Sequence, residues 1–167
     1  MVAEEIFDVC DAQDNVIGQA PRAEVHAQNL LHRAVHIWVF NTSGELLVHR
    51  RSMTKDQYPD CFTSSASGHV DAGEDYQTAA HRELQEELGL SGDLEFIVKL
   101  PAGAHTAFEH TVLYALRTNA TPQPNSDEIA SIAYEPVGEV IEDVNLHPDR
   151  YTPPFRELAI WWDEHQS

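Results

Sequence analysis

The sequence predicts an α+β fold, an α/β/α sandwich in which a mixed β-sheet packs between helices. Strand-like and helix-like segments follow one another without the strict alternation that a parallel sheet requires. Turn signals fall at short spacings, and no repeat, low-complexity tract or Gly/Ser linker divides the chain. Its 167 residues, 42% of them hydrophobic, suffice for one core, so residues 1–167 are predicted to form a single domain.

Strand signals dominate the first half of the chain. Val, Ile, Trp and Phe, which favour strands, are concentrated in residues 32–41, and Thr42-Ser43-Gly44 then turns the chain. A short helix is predicted within residues 22–31, and Ser67-Gly68 is predicted to end an extended stretch. The predicted strands are residues 4–10, 16–20, 32–41, 45–51 and 61–66.

The second half begins with the clearest helix signal. Glu74 and Asp75 place negative charge at the positive end of this helix, and Gly89 stands where a left-handed residue ends a helix. Its apolar face is formed by Ala80, Leu84 and Leu88. Further strands are predicted at 93–100, 105–118 and 129–135, and helices at 137–144 and 154–165.

The last predicted helix carries Phe155, Trp161 and Trp162 at helical spacing. Core packing is the preferred interpretation, because bulky apolar residues at this spacing usually face inward. A lid over a hydrophobic cleft and a homodimer contact are the alternatives. Cys10 and Cys61 lack the spacing of a redox or zinc motif and are predicted to be ordinary small hydrophobic residues.

The charge balance excludes several classes of function. Ten Lys and Arg against 28 Asp and Glu give a formal charge of -18. Such a surface repels nucleic acid backbones and anionic lipid, so binding to a nucleic acid polymer or a membrane is not expected. No apolar run reaches the roughly 18 residues of a spanning helix, and residues 1–5 lack a targeting pattern, so a cytoplasmic protein is predicted. An anionic substrate would need a local cationic pocket.

Three glutamates share one face of the predicted central helix. Glu83, Glu86 and Glu87 stand at i, i+3 and i+4, where like charges cost about 0.2 to 0.5 kcal/mol per pair. A hard divalent cation such as Mg²⁺ or Mn²⁺ would offset this repulsion, since such ions prefer oxygen ligands. The alternative is a solvated acidic face, with Arg82 and Glu86 forming only a surface ion pair.

The segment 68–90, GHVDAGEDYQTAAHRELQEELGL, resembles the signature of the Nudix hydrolases at every constrained position. The matching residues are Gly68, Glu74, Arg82, Glu83, Leu84, Glu86, Glu87, Gly89 and Leu90. The resemblance implies the Nudix fold, a small-molecule diphosphate substrate and a Mg²⁺ site formed by Glu83, Glu86 and Glu87. It also implies that Arg82 orients these carboxylates. Divalent ions suit this chemistry, because they neutralise a diphosphate and activate the attacking water.

Residues 5–117 resemble, more narrowly, the branch of this superfamily that contains type I isopentenyl-diphosphate isomerase. The shared stretches are Val25-His26, Leu31-His32-Arg33-Ala34, Trp38-Val39-Phe40-Asn41, Leu47-Val48-His49-Arg50-Arg51, Lys55 with Pro59, and Gly68-His69. This resemblance implies that His26, His32, His69 and Glu109 ligate a metal. It also makes Arg22, Arg50, Arg51 and Lys55 candidate diphosphate contacts. The alternatives are structural histidines and a solvated loop at Lys55.

Two departures from the isomerase pattern favour hydrolysis. Ser67 stands at the position of the isomerase cysteine, and Ala107 at that of a second isomerase acid. The predicted function is therefore Mg²⁺-dependent cleavage of a phosphoanhydride bond in a nucleoside diphosphate derivative or related diphosphate. Glu83, Glu87 and Glu109 are the predicted catalytic residues, with either Glu83 or Glu109 as general base. An isomerase with altered acid-base groups and a non-catalytic nucleotide sensor are the alternatives.

Overall fold

The computed structural model describes residues 4–165; residues 1–3 and 166–167, which belong to the predicted domain, lie outside the described range. Its strands are β1 (Ile6–Cys10), β2 (Val16–Pro21), β3 (His32–Phe40), β4 (Leu46–Arg51), β5 (Phe62–Thr63), β6 (Ala66–His69), β7 (Glu95–Leu100), β8 (Glu109–Arg117) and β9 (Ile129–Glu135). Its helices are α1 (Arg22–Ala27), α2 (Tyr76–Leu88), α3 (Val137–Leu146) and α4 (Pro153–His165). Within residues 4–165 no helix is both long and apolar enough to cross a membrane.

A mixed sheet of seven strands forms the centre of the part of the chain that the structure describes. The path β5-β4-β3-β8-β7 is extended by β6, which pairs with β3, and by β9, which pairs with β4. The β3 and β8 strands run parallel along their whole length, from His32 beside Glu109 to Phe40 beside Arg117. The β3 and β4 strands are paired only at Phe40 and Leu46, so β6 takes the other end of β3. This divergence of β4 from β3 opens a cleft between them.

Alternation along β3 sends its side chains into two cores. Val35, Ile37 and Val39 pack against α2 on one face of the sheet. Trp38 and Phe40 pack against α3 and α4 on the other face, where Phe155 is fully buried and Trp162 is largely buried. The predicted mixed sheet between helices is confirmed, and the C-terminal aromatic residues contribute to a core.

Three predicted boundaries are wrong. Ser67-Gly68 does not end a strand, because residues 66–69 pair with Ala34 to Ile37 of β3 and form β6. The helix predicted in 22–31 stops at Ala27, and Asn29 follows in the left-handed conformation. The strand predicted from residue 105 begins at Glu109, because two consecutive residues, Ala107 and Phe108, have positive φ and form a turn.

The β1–β2 hairpin is attached to the main sheet by a buried charge at its turn. Asp14, at φ 65°, accepts hydrogen bonds from Arg33 Nε at 2.7 Å, from Tyr76 Oη at 2.7 Å and from Lys99 Nζ. Burial alone would raise the pKa of Asp14, but these three donors outweigh it and hold the pKa at about 2. The same hairpin carries Phe7, whose buried ring lies against those of His32 and His69.

Asp14→Asn is expected to destabilise the protein by about 2 to 3 kcal/mol at pH 7, given an unfolded-state pKa near 3.9. Because the folded pKa is depressed, the contribution is present above about pH 4 and is lost as the pH falls towards about 2. Urea unfolding of wild type and variant at several pH values measures this. Asp127→Asn, in an exposed loop, is the control. A stability difference that stays constant from pH 7 to pH 2.5 would contradict the assignment.

Candidate functional site

A cavity of about 360 Å³ lies where β4 separates from β3. Its wall contains residues from α2, from the strands β3, β4, β5, β6 and β8, and from the loop that follows β4. Of the predicted site residues, those lining it are Arg22, Arg51, Lys55, Gly68, His69, Arg82, Glu83, Glu86, Glu87 and Glu109. Segments distant in sequence therefore contribute to one concave and strongly charged site.

The helix α2 directs its carboxylates into this cavity because its opposite face is apolar. Asp75 caps the helix by accepting a hydrogen bond from Thr78 N at 2.7 Å, and Gly89 ends it at φ 63°. The fully buried residues Leu84 and Leu88 fix the rotation of the helix against the sheet. Glu83, Glu86 and Glu87 then lie on the flank that faces the cavity.

Glu87 is the most deeply buried of the three carboxylates. Its residue is 3% exposed, and its Oε2 accepts a hydrogen bond from Ser67 N at 2.7 Å. Burial, and then the nearby charge of Glu83, raise the pKa of Glu87 well above its ordinary value. Within residues 4–165 no cationic side chain forms an ion pair with Glu87. A bound cation would stabilise its ionised form.

Glu83 lies against the backbone of Gly68. A Cβ atom built on Gly68 would come within 2.2 Å of Glu83 Cδ, so only glycine permits this approach. Burial raises the pKa of Glu83 to about 7, although Arg82 Nη1 donates a hydrogen bond to its Oε1 at 2.8 Å. Glu86 is more open, with a side chain 58% exposed and 3.4 Å from Arg82.

Arg82 connects α2 to the loop that precedes it. It donates two hydrogen bonds to Glu74, both at 2.9 Å, and one to His69 O at 3.1 Å. Glu74 in turn accepts from Asp71 N at 3.1 Å. Arg82 therefore lies between Glu74 and Glu83 and contacts both.

Gly68→Ala is expected to weaken divalent-cation binding about tenfold or more while costing little stability. The added methyl group meets the end of the flexible Glu83 side chain, which would rotate out of the cavity. Calorimetric titration with Mg²⁺ and Mn²⁺, together with thermal unfolding, measures the two effects separately. Gly138→Ala is the control, because nothing lies within 4 Å of its Cβ position. Unchanged cation affinity in the Gly68 variant would contradict the prediction.

A second group of ligands lies beside the carboxylates, at the end of the cavity near α1. Ring nitrogens of His26, His32 and His69 all lie within 4.8 Å of one another. The Nε2 atoms of His26 and His32 are buried and form no hydrogen bond within the described residues. Glu109 Oε2 lies 3.0 Å from His69 Nε2 and 3.8 Å from His32 Nε2. Three histidine rings and a carboxylate therefore converge, and within the described residues the Nε2 atoms of His26 and His32 have no hydrogen-bond partner.

The chemistry of this group fits a metal ion. Since His32 Nδ1 lies 2.8 Å from Leu30 O, a carbonyl that can only accept, its proton is on Nδ1 and the Nε2 lone pair is free. Burial lowers the pKa of His26 to about 4, which keeps it neutral. Burial would raise the pKa of Glu109, but its contacts with the neighbouring histidines, of which His69 at 3.0 Å is the closer, outweigh it and lower this pKa. His69 has the reverse arrangement. Arg22 Nη1, which can only donate, lies 3.4 Å from its Nδ1, so the ring proton is on Nε2 and would have to leave before a metal ion could bind there.

Three of the four predicted phosphate contacts line the cavity, and they differ in how far acidic residues neutralise them. Arg22 is paired with Glu5 and Asp56, each at 3.0 Å. Lys55 is 3.6 Å from Glu128. Arg51 donates two hydrogen bonds to Gln57 O, at 2.9 and 3.2 Å, and within residues 4–165 it has no carboxylate at ion-pair distance. Arg51 is therefore the cation most available to an anion.

The position of Arg50 does not support its predicted role as a substrate contact. Successive side chains of β4 point to opposite faces, so Arg50 points away when Arg51 enters the cavity. Arg50 instead forms an ion pair with Asp60. The two adjacent arginines thus occupy different environments.

The structure also adds cavity residues that sequence reasoning missed. His36 lies on the same face of β3 as His32, and Thr63 reaches the cavity from β5. Thr63 and Thr152 share a hydrogen bond at 2.9 Å, and Tyr58 contributes from a loop turn at φ 48°. The spacing of four between His32 and His36 in a strand was the one available signal. The wall of the cavity away from the carboxylates is therefore polar.

Comparison with known sequences agrees with this arrangement. A family model described as the NUDIX domain matches residues 30–156. An uncharacterized Nudix hydrolase of Streptomyces coelicolor is 38% identical over 142 residues, which cover 83% of this chain and 78% of the relative. An isopentenyl-diphosphate delta-isomerase of Photorhabdus laumondii is 32% identical over 161 residues, which cover 93% of this chain and 90% of the relative.

Solved structures show the same fold. A Deinococcus radiodurans protein superposes with a TM-score of 0.83 at 24% identity, covering 94% of this chain and 98% of that one. The NUDIX domain of Shewanella oneidensis NrtR, complexed with ADP ribose, gives a TM-score of 0.62 at 14% identity, covering 87% of this chain and 99% of that one. With the family model matching most of its length, the chain belongs to the Nudix family.

Proposed function

We propose that this protein is a Mg²⁺-dependent hydrolase, also served by Mn²⁺, that cleaves a phosphoanhydride bond of a nucleoside diphosphate derivative or a related diphosphate. The observation that carries the proposal is the meeting of three box carboxylates and the unneutralised Arg51 at one cavity. A diphosphate bound to divalent cations presents both negative oxygens and positive charge. In this site Arg51 can bind the oxygens, and the three carboxylates can bind the cations.

Each group has a role that follows from its position. Glu83, Glu86 and Glu87 would hold the cation, which, when bound, neutralises phosphoryl charge and activates water. Arg51 would bind phosphoryl oxygens through its guanidinium, a geometry suited to two parallel hydrogen bonds. Lys55 would add a positive charge, because a phosphoryl oxygen can replace its loose contact with Glu128 at 3.6 Å. In an acidic protein this local concentration of cations attracts the substrate.

Two carboxylates are positioned to act as the general base. Glu83 and Glu109 both line the cavity, from α2 and β8 respectively. Glu109 Oε2 lies 3.0 Å from His69 Nε2, and the histidine contacts lower the pKa of Glu109, which makes it a weaker base; burial raises the pKa of Glu83 to about 7. We therefore assign the base to Glu83. A Glu109→Gln variant that loses as much kcat as Glu83→Gln would reverse this assignment.

We further propose a metal site formed by His26, His32, His69 and Glu109. The unpartnered Nε2 atoms of His26 and His32 support it, because a buried ring nitrogen without a partner is costly unless something binds it, and His69 and Glu109 lie beside them. Imidazole and carboxylate ligands suit Zn²⁺, Mn²⁺ or Fe²⁺ better than Mg²⁺. Elemental analysis of the purified protein, with His32→Ala as the comparison, tests this site. Equal metal content in the two proteins would refute it.

The activity is tested with purified protein, Mg²⁺ and a panel of nucleoside diphosphates, diphosphate sugars and dinucleotides. Release of phosphate or of a nucleoside monophosphate from at least one of them is expected. Glu83→Gln is expected to lose this activity. No turnover of any panel member by the wild-type protein would count heavily against the proposal. A ligand-induced thermal shift without product would instead indicate a nucleotide sensor.

The isomerase alternative has one observation in its favour, the cluster of His26, His32, His69 and Glu109. Against it, Ser67 and Ala107 both line the cavity where the resemblance implies a cysteine and an acid. A serine hydroxyl is a poor proton-transfer group near neutral pH. Incubation with isopentenyl diphosphate in deuterated water decides the matter, because an isomerase incorporates deuterium into the allylic product.

A further inference from the structure

His36 is a cavity residue that the proposed hydrolysis does not yet use. It lies in the middle of β3, opposite Ser67 of β6, whose backbone N–H binds Glu87. Its residue is 3% exposed, and its ring lines the cavity. Paired residues on neighbouring strands have their Cα atoms about 4.5 to 5.5 Å apart, so the backbone of His36 lies beside the residue that binds Glu87.

A fully buried serine holds the far side of this ring. His36 Nδ1 lies 2.7 Å from Ser64 Oγ, and Trp38 Nε1 donates to the same oxygen at 3.0 Å. Ser64 has no exposed surface. Within the described residues Ser64 Oγ forms no further hydrogen bond.

Counting donors and acceptors assigns the proton positions. Because Trp38 can only donate, Ser64 Oγ accepts there, and its own O–H needs an acceptor. His36 Nδ1 is the acceptor available, so it carries a lone pair and the ring proton is on Nε2. The opposite tautomer would leave the buried Ser64 hydroxyl proton without an acceptor, which costs about 1 to 3 kcal/mol. Burial lowers the pKa of His36 to about 4, so the ring is neutral at pH 7.

The neighbouring histidines have the reverse arrangement. His49 Nδ1 faces Ser65 O at 3.2 Å, and His32 Nδ1 faces Leu30 O at 2.8 Å. A carbonyl only accepts, so both of these rings are protonated on Nδ1. His36 alone among these three presents an N–H group on its Nε2 side, which suits an anion and not a metal ion.

We propose that His36 binds a phosphoryl oxygen of the substrate through Nε2–H, and that Ser64 and Trp38 hold the ring in the tautomer that makes this possible. The inference rests on the proposed function, since it places the diphosphate between the box carboxylates and Arg51. Within the described residues His36 Nε2 forms no hydrogen bond, so this donor is available to a ligand. Phosphoryl oxygens only accept, and they match a neutral N–H donor without a change in ionisation.

The tautomer is measured by ¹⁵N NMR of the full chain labelled at histidine. His36, assigned by its loss in His36→Gln, is expected to show a protonated Nε2 and an unprotonated Nδ1. His49 is expected to show the reverse, which makes it an internal reference. Ser64→Ala removes the hydroxyl donor and should give a mixture of tautomers at His36. Protonation of wild-type His36 on Nδ1 would overturn the proposal.

Binding is measured by calorimetry with imidodiphosphate, a slowly hydrolysed diphosphate mimic, in the presence of Mg²⁺. His36→Leu should weaken binding about 10- to 100-fold, the range for a hydrogen bond to a charged group. His36→Gln keeps a side-chain N–H donor and should stay within about threefold of wild type. His49→Gln, a buried histidine outside the cavity lining, is the matched control and should not change the affinity.

The outcomes separate this inference from the proposed function. Equal affinities of wild type and His36→Leu would overturn the role of His36, whether or not the protein hydrolyses any diphosphate. Failure of wild type to bind imidodiphosphate at millimolar concentration would also overturn it. Binding that depends on His36, in a protein that turns over no panel member, would leave the inference standing and remove the hydrolase proposal.

Discussion

Glu87→Gln is expected to lower kcat about a thousandfold, equivalent to about 4 kcal/mol, without destabilising the protein. The amide has nearly the shape of the carboxylate, and its oxygen can still accept the hydrogen bond from Ser67 N. It cannot offer a negative charge to a divalent cation. The substitution therefore removes the ligand that lies deepest in the site while preserving its packing.

The stability of the same variant distinguishes a lost ligand from a damaged fold. Burial and the charge of Glu83 raise the pKa of Glu87, which shows that its ionised form is unfavourable in the absence of a cation. Gln at this position removes that cost, so in EDTA the variant should unfold at the same temperature as wild type or a higher one. With millimolar Mg²⁺ only the wild type should gain stability, by about 1.4 kcal/mol at ten times its Kd.

The surface substitution Glu95→Gln is the control, because Glu95 is exposed at the start of β7 and does not line the cavity. It should leave kcat and the response to Mg²⁺ unchanged. A Glu87→Gln variant that unfolds well below wild type in EDTA would attribute its inactivity to folding. Full activity of the variant would show that Glu87 is not a ligand at all.

The elements that the sequence predicts well are those determined by local interactions. The helix α2 has its cap at Asp75, its left-handed terminus at Gly89 and an apolar face at Leu84 and Leu88, and all of these are near one another in sequence. The box carboxylates are on this helix, so their shared orientation could be deduced from spacing alone. Glu109 became a candidate through the resemblance to the isomerases, and its position at the start of β8, beside His32 of β3, brings it to the cavity.

The features that were missed depend on tertiary pairing. Ser and Gly have low strand propensity, yet β6 forms because the end of β3 offers unpaired backbone groups where β4 has diverged. Gly68 is a constrained position of the signature, but the reason for a glycine there, the close approach of Glu83, appears only in the structure. The proton position on the His36 ring depends on its contact with Ser64, which is 28 residues away in sequence, so it could not be predicted from the sequence.

The different environments of Arg50 and Arg51, adjacent residues of β4, likewise could not be predicted from the sequence. They lead to a second prediction with a large expected effect on catalysis. Arg51→Ala is expected to lower kcat/KM about a hundredfold, mostly through KM, because a charged guanidinium that binds phosphoryl oxygens is lost. Arg50→Ala should change kcat/KM less than about twofold, since Arg50 does not line the cavity and its pair with the partly exposed Asp60 lies near the surface, where such pairs contribute little. Steady-state kinetics on any hydrolysed member of the panel measures both.

Arg51→Lys then tests whether geometry or charge is responsible. Lysine keeps the positive charge but cannot form two parallel hydrogen bonds to a phosphate, nor donate twice to Gln57 O as Arg51 does. An intermediate loss of about tenfold is expected. Complete rescue by lysine would mean that Arg51 supplies only positive charge, as Lys55 also does in this cavity. Equal losses in the Arg50 and Arg51 variants would mean instead that the alternation of β4 does not select the phosphate contact, and that the cavity described here is not where the diphosphate binds.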